Sequence, residues 1–338
     1  MTRVFLAGDV GGTKTHLALY RPGESPRAPA SDRKLASRDY ATLEALLHAF
    51  LDGTRERPRA IVLGIAGPVV ANRVEATNLP WRIDGATLGA ALGAPVTLIN
   101  DLTATAWGLG ALEPGEIEML EPGTPQPGNR GLVAAGTGLG EALLVWNGAG
   151  WTPAPSEGGH ADFGPRDALE DELLEWLRAR YGHVSWERVL SGPGLAELYE
   201  FLSATGRGEE PAGFASALAK ASDPAAVIAE SAGAGRNARA TLALERFASI
   251  YGAEAGNVAL KFLAVSGVFL CGGIAPRILP FLRDPSFRAA FRAKGRLEPV
   301  LERIPVGVVL DDRAALWGAA TLALGGAQAV RDRAPEPR

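Results

Sequence analysis

The chain has 338 residues, of which 47% are hydrophobic and 21% charged, with 42 glycines, 24 prolines and one cysteine. That length predicts two domains or one large α/β unit, and the glycine and proline content stays below that of a low-complexity chain. A net charge of −4 argues against a nucleic-acid coat or an anionic membrane surface as the main partner, and Cys271 alone makes neither an internal disulfide nor a cysteine zinc site.

The N-terminal MTRVFLAGDVGGTKT contains no signal-type apolar run, and no stretch approaches the ~18 apolar residues of a membrane helix. A soluble, cytoplasmic protein is expected. Along the chain, short apolar runs with β-branched residues predict buried strands at residues 4–7, 60–65, 96–99, 132–135, 268–271 and 306–310. Helical patterns lie between them, one over residues 102–109. The clearest covers residues 168–181, where Leu169, Leu173, Leu174 and Leu177 share a face, Asp167 is placed to cap the start and Gly182 to end it. Strands interleaved with helices give an α/β class. Two segments break the rhythm. GDVGGTKT is followed by a strand-like run at 16–20 and AAGTGLGE by one at 142–146, so each forms a strand, a glycine turn and a second strand. Their recurrence in the two halves of the chain points to a duplicated, two-domain architecture. Residues 113–129, rich in acidic residues, proline and glycine, are expected to be a linker. Residues 206–213 are expected to form a second polar loop, and 331–338 a disordered tail.

The segment Gly8-Asp9-Val10-Gly11-Gly12-Thr13-Lys14-Thr15 nearly spells a P-loop, but Thr13 stands where glycine is required and no helix follows. A glycine turn between strands still offers successive backbone N–H groups to an anion. Asp9, at the end of the first strand, is placed to hold Mg2+ through water. A plain hairpin turn is the alternative. Gly136-Thr137-Gly138-Leu139-Gly140 fails the dinucleotide spacing and leads into a strand, so it too has the simple hairpin as its alternative. Gly272 and Gly273 close a buried strand, where the missing side chains let a flat ligand or a phosphate approach the backbone. Three such turns point to a nucleotide cleft between domains.

Asn100-Asp101 follows a strand and precedes a helix, the position where α/β sheets bind ligands; a helix N-cap is the other role open to Asp101. The turn Glu157-Gly158-Gly159-His160-Ala161-Asp162 has too few ligands for zinc, but Glu and neutral His suit the hydroxyls of a polyol. Glu187, within Trp186-Glu187-Arg188, reads locally as an ion-paired surface residue.

In one order along the chain, GDVGGTKT, GIAGPV (64–69), TNLPW (77–81), LINDLTA (98–104), AAGTGLG, EGGHADF, HVSWERVLSGPGL (183–195) and VFLCGGIAPR (268–277) resemble the bacterial glucokinase family, within the hexokinase–actin–Hsp70 ATPase superfamily. FRAAFRAKGR (287–296) resembles it as well. Each motif is weak alone; together, across nearly the whole chain, they are specific. The resemblance implies two RNase-H-like (actin-like ATPase) α/β domains around a central cleft. Residues 1–112 plus 312–330 would form the small domain, completed by a C-terminal helix, and residues 113–311 the large one.

It also implies phosphorylation of D-glucose at the 6-hydroxyl by Mg-ATP, giving glucose 6-phosphate and ADP. By motif, Asp101 would be the general base, and Asn78, Asn100, Glu157, His160 and Glu187 would bind the sugar. Gly8, Asp9, Gly11, Gly12, Thr13, Gly136, Thr137 and Gly138 would hold the phosphates, Asp9 through Mg2+, and Gly272 and Gly273 would lie under the adenosine. A homodimer is implied by the resemblance too.

One residue departs from the family pattern: Glu141 stands where a small or apolar residue is expected, and a carboxylate beside the second glycine turn would alter nucleotide affinity. The cysteine-rich zinc loop and N-terminal helix-turn-helix of the related ROK family are absent from the sequence, which speaks against a repressor. A kinase of the same fold for another hexose or donor, and a non-catalytic sugar sensor, stay open as alternatives. A dehydrogenase does not, because neither glycine segment leads into a helix.

Overall fold

The structure is a computed structural model and describes residues 3–54 and 56–325. Two compact units emerge. One draws on Met1–Pro114, Leu144–Pro155 and Asp311–Arg338, the other on Gly115–Leu143 and Ser156–Leu310.

The chain opens with β1 (Arg3–Val10), β2 (Lys14–Tyr20), β3 (Ser31–Ala36), α1 (Leu43–Leu51) and β4 (Arg57–Ile65). A short hairpin, β5 (Arg73–Glu75) and β6 (Arg82–Asp84), precedes α2 (Gly85–Leu92), β7 (Val96–Asn100) and α3 (Asp101–Gly108). Then come β8 (Ile117–Glu121), β9 (Arg130–Ala135), β10 (Leu139–Trp146), β11 (Trp151–Ser156), α4 (Ala168–Tyr181), α5 (Trp186–Val189) and α6 (Gly192–Ala204). Helices α7 (Phe214–Leu218), α8 (Pro224–Gly233) and α9 (Ala238–Phe262) lead to β12 (Val268–Cys271). The chain finishes with α10 (Leu279–Leu282), α11 (Pro285–Arg292), α12 (Glu298–Leu301), β13 (Val306–Val309) and α13 (Ala314–Gly325). Among the described residues, no helix is long and apolar enough to cross a membrane.

In the first unit five strands run in the order β3-β2-β1-β4-β7, the last three mutually parallel. Their register fixes two rows, Asp9–Gly64–Ile99 and Val10–Ile65–Asn100, so three parallel strands end level with one another. Alternation along the strands sends Val4, Leu6, Leu17 and Leu63 to a core with α1, and Ala7, Ala18 and Val62 to the opposite face, where Leu316, Ala319 and Ala320 of α13 cover them. Helices α3 and α13 meet backbone to backbone. A Cβ on Gly318 would run into the Ala104 carbonyl, and one on Gly108 into the Ala314 carbonyl.

The second unit is built on strands in the order β10-β9-β12-β13-β8, β10 contributing its first half, with β9, β12 and β13 parallel. The 25-residue α9 runs through its core. Gly252 and Gly256 let α11 settle against α9, since a Cβ at either would strike the carbonyl of Phe287 or Phe291.

All six expected strands are present, most of them a few residues longer than expected; β13 is one residue shorter, because the Leu310 N–H turns to the Glu116 carbonyl. Helix α4 has the expected bounds, with the Asp167 side chain accepting from the Glu170 N–H and Gly182 at φ +71°. The expected linker at 113–129 needs correction, because it contains β8, paired antiparallel with β13. Its acidic residues hid the strand. Glu118 is met by Arg283, and the buried Glu121 by Arg288 and Arg292, so charges that read as solvated are neutralised within the fold. Residues 206–213 do form a loop, and 331–338 lie outside the described residues.

The glycine contact between α3 and α13 yields a test of sign. By helix propensity alone Gly318→Ala stabilises by about 1 kcal/mol, whereas overpacking costs about 1–3 kcal/mol. Because the obstacle here is backbone, packing is expected to win and the urea midpoint to fall. A raised midpoint would show that the two helices do not touch at this glycine.

Candidate active site

In the first unit the glycine turn lies between β1 and β2. Gly11 N–H donates to the Lys14 carbonyl (3.1 Å), and Ser37 braces the turn, its Oγ donating to the Gly11 carbonyl (2.7 Å) and its N–H to the Thr13 carbonyl (3.0 Å). A Cβ on Gly12 would stand 2.6 Å from the Cβ of Asn78, so the exposed Asn78 borders the turn. Gly8 lies earlier, inside β1, where a Cβ would come within 2.6 Å of Leu17 and 2.7 Å of Leu63. Packing accounts for that glycine.

Asn100, not Asp101, caps α3. Its Oδ1 accepts from the N–H groups of Leu102 (2.9 Å) and Thr103 (3.2 Å), while its Nδ2 donates to the Gly67 carbonyl (3.2 Å). Both ends of the Asn100 amide are thus engaged within the protein. Asp101 occupies the first helical position, partly exposed, with Oδ1 accepting from the Leu102 N–H (2.9 Å). Gly64, on the middle strand, lets this turn settle on the sheet: a Cβ there would be 2.8 Å from Ala104 and 3.7 Å from the Asp101 Cα.

Level strand ends bring carboxylates together. Burial, with the charges of Asp101 and Asp312, pushes the Asp9 acid up to about 7, and Lys34 opposes the shift. Lys34 Nζ is itself paired with Asp312 at 3.3 Å. Three carboxylates against one lysine leave excess negative charge, an environment that favours a cation. Among the described residues no three His, Cys, Asp or Glu side chains are grouped closely enough to hold a metal alone. That donor set fits Mg2+, which retains water and takes phosphate oxygens as further ligands. Asp312 was not foreseen from the sequence, since the Asp311-Asp312 pair carries no local pattern.

The second unit holds the other glycine turns. Gly136 N–H donates to the Gly138 carbonyl (2.8 Å), and the Gly136 carbonyl accepts from the Gly192 N–H at the start of α6 (2.8 Å). Glu187, its side chain 32% exposed, lies against this turn. Its Oε2 accepts from the Leu139 N–H (2.9 Å) and would lie 2.5 Å from a Cβ on Gly138, while its Oε1 is 4.0 Å from His160 Nδ1. The local expectation of an ion-paired surface residue is therefore replaced by a carboxylate joining the hairpin to His160. Glu157 and His160, both exposed, flank a single 3-10 turn over Gly158–His160.

Gly272, at φ +83°, lies against the Ala135 carbonyl, which also accepts from the Ile274 N–H (3.3 Å); the Cβ position of Gly273 is open. Beneath both turns Tyr251 of α9, fully buried, donates from its hydroxyl to the Val133 carbonyl (3.0 Å) and accepts from the Ala135 N–H (3.4 Å). The Cys271 carbonyl is also within 3.4 Å. Tyr251 thus ties the ends of β9 and β12 together, a role that an aromatic residue inside an apolar helix does not announce. Burial pushes the Cys271 thiol up to about 12, so it is inert. Glu141 is buried beside Gly158 and Glu254.

A family model described as Glucokinase matches residues 6–325. A glucokinase of Nostoc punctiforme is 38% identical over 336 residues, covering 95% of this chain and 98% of its own. Among solved structures, a glucokinase from an Antarctic psychrotroph matches with a TM-score of 0.81 at 29% identity, covering 95% of this chain and 98% of that one. A ROK-family glucokinase from Streptomyces griseus, solved with glucose and AMPPNP, matches with a TM-score of 0.63 at 24% identity, covering 95% and 99%, and shows the shared fold. The expected actin-like ATPase fold class is the one these structures carry. The chain belongs to the glucokinase family.

Proposed function

We propose that this protein transfers the terminal phosphoryl group of ATP to the 6-hydroxyl of D-glucose, with Asp101 as general base. The supporting observation is the level ending of β1, β4 and β7, which sets Asp101 on the first turn of α3 near Asp9, with the capping duty taken by Asn100. Asp101, held by the Leu102 N–H at Oδ1 and partly exposed, takes the proton-transfer role. As the sugar oxygen forms its bond to phosphorus and the bond to the ADP oxygen breaks, the hydroxyl proton passes to the Asp101 carboxylate. The backbone N–H groups of Gly12, Thr13, Thr137 and Gly138 hold phosphate oxygens, those of Gly11 and Gly136 closing their own turns, and Gly272 and Gly273 lie under the adenosine. Asp9 would hold Mg2+ through water, and the charge neutralisation on the phosphates would be what the bound ion contributes.

Glu157, His160 and Glu187 bind the remaining sugar hydroxyls, with Asn78 beside the first glycine turn. Glu187 is fixed for this role by the Leu139 N–H, which sets one carboxylate oxygen and aims the other toward His160. Use of ATP as donor is supported by the AMPPNP complex of the Streptomyces griseus relative, and glucose as acceptor by the family itself. A cytoplasmic location, where ATP is abundant, accords with this activity.

Glucose-dependent ADP release in a coupled assay checks the role of the base. Asp101→Asn is expected to lower kcat by about 10²–10⁴-fold while glucose still binds with its usual affinity. Near-normal turnover would remove Asp101 from that role. Glu187→Gln is expected to raise KM for glucose by about tenfold and to narrow the ranking among hexose epimers, since it weakens a fixed, partly buried polar partner. An unchanged ranking over glucose, mannose and galactose would confine Glu187 to bracing the hairpin.

A further inference from the structure

Successive side chains of a strand alternate, so Leu139 and Glu141 of β10 face the same way. The turn that follows β11 rests on this pair of positions. A Cβ on Gly159 would strike the Leu139 carbonyl, and one on Gly158 would strike the Glu141 Oε2, so both glycines lie directly on β10. The Glu141 side chain is 2% exposed, and its Oε1 is buried without a hydrogen-bond partner among the described residues. Gly158 offers it no donor, because its N–H goes to Ser156 Oγ (2.9 Å). The group within hydrogen-bond reach is Glu254 of α9, which is fully buried.

Two carboxylates buried face to face cannot both be ionised, and their surroundings decide which keeps the proton. Glu254 has the cationic and amide donors. Lys261 Nζ lies 3.0 Å from its Oε1, and Asn257 Nδ2 donates to its Oε2 at 2.7 Å. Lys294, in the segment after α11, donates to the Ala253 carbonyl (2.9 Å) and to Asn257 Oδ1 (2.6 Å); burial pushes its ammonium down to about 8, with Arg166 and Lys261 adding to the shift and Glu254 opposing it, so near neutral pH it adds positive charge on the Glu254 side. The turn itself contributes the exposed Glu157, His160 and Asp162, the last paired with His183 at 2.8 Å. Glu141 has no such donor and must therefore carry the hydrogen.

We infer that Glu141 is a positioning residue for glucose binding: paired acid to acid with Glu254 through one shared proton, it seats the turn that presents Glu157 and His160. Burial and the neighbouring Glu254 push the Glu141 acid up to about 8, with Lys261 opposing. At neutral pH the pair is intact. Above that range the proton is lost, Glu141 and Glu254 repel, and an uncompensated charge presses on Gly158. The two sugar-binding side chains then leave their places. The residue that departs from the family pattern thus acts on the sugar and not on the nucleotide.

This inference rests on the function proposed above, and a pH series separates the two. KM and kcat for glucose are measured from about pH 6 to pH 9.5 for the wild type and for Glu141→Gln, with thermal melts alongside. The wild-type KM is expected to climb above about pH 8, approaching tenfold per pH unit, with a much smaller change in kcat. Glu141→Gln keeps a donor but cannot ionise, so its KM is expected to stay within about twofold of wild type near pH 7 and to lose the climb. Glu141→Val removes the seat altogether and is expected to show a raised KM with no dependence on pH in this range. A climb that survives in Glu141→Gln would overturn the inference, as would a wild-type KM with no inflection. No glucose-dependent ADP release at any pH would instead overturn the proposed function. Equilibrium glucose binding followed by tryptophan fluorescence then decides the Glu141 question by the same comparison of pH profiles.

Discussion

Three parallel strands that end level leave the side chains at their ends little room to separate. In the first unit Asp9 lies within electrostatic reach of Asp101, the more exposed Asp312 and Lys34, and burial of Asp9, reinforced by the two other carboxylates, holds its acid well above the ordinary carboxylate range. Such crowding works against stability and is the pattern expected where a cation and a proton acceptor are needed together. Much of the surrounding packing serves this arrangement. Gly64 lets the first turn of α3 settle on the sheet, and the glycine contact of α3 with α13 holds the helix down. Asn100 takes the larger share of the cap, accepting from both Leu102 and Thr103, while Asp101 accepts only at the Leu102 N–H of that turn.

The second unit meets its requirements with neutral or fixed groups. Tyr251 anchors the strand ends from which both glycine turns depart, and Glu187 is held by a backbone N–H while its second oxygen faces His160. Below the turn over Gly158–His160 a buried acid pair stands where an apolar contact is expected from the family. Burying a carboxyl in this way is tolerable only while one member stays neutral, and so the support of the turn becomes linked to proton concentration. The first unit gathers charge for chemistry, whereas the second distributes it to fix geometry.

Much of this organisation was legible in the sequence, for physical reasons that differ by element. The strands were visible because both faces of the parallel strands are buried, which makes their apolar runs nearly continuous. Helix α4 was visible because its apolar face, Asp167 cap and Gly182 stop agree with one another. β8 was not, because Glu118 and Glu121 are neutralised by arginines more than 150 positions away in the chain, which no local window contains. The same holds for the site. Asp101 follows from its place after a strand, but Glu187 reads as a surface residue until the fold sets it beside Leu139. Gly8 reads as part of the turn until Leu17 and Leu63 close over it. Asp312 and Tyr251 matter only through partners distant in sequence, and nothing local marks them.

The central claim is that Asp101 faces the sugar hydroxyl that is to be phosphorylated. A crystal structure of this protein with glucose tests it most directly. The account predicts an Asp101 carboxylate oxygen within about 2.6–3.2 Å of O6, the distance a general base requires. An O6 held by other groups, with Asp101 bonded only to the Leu102 N–H, would contradict it.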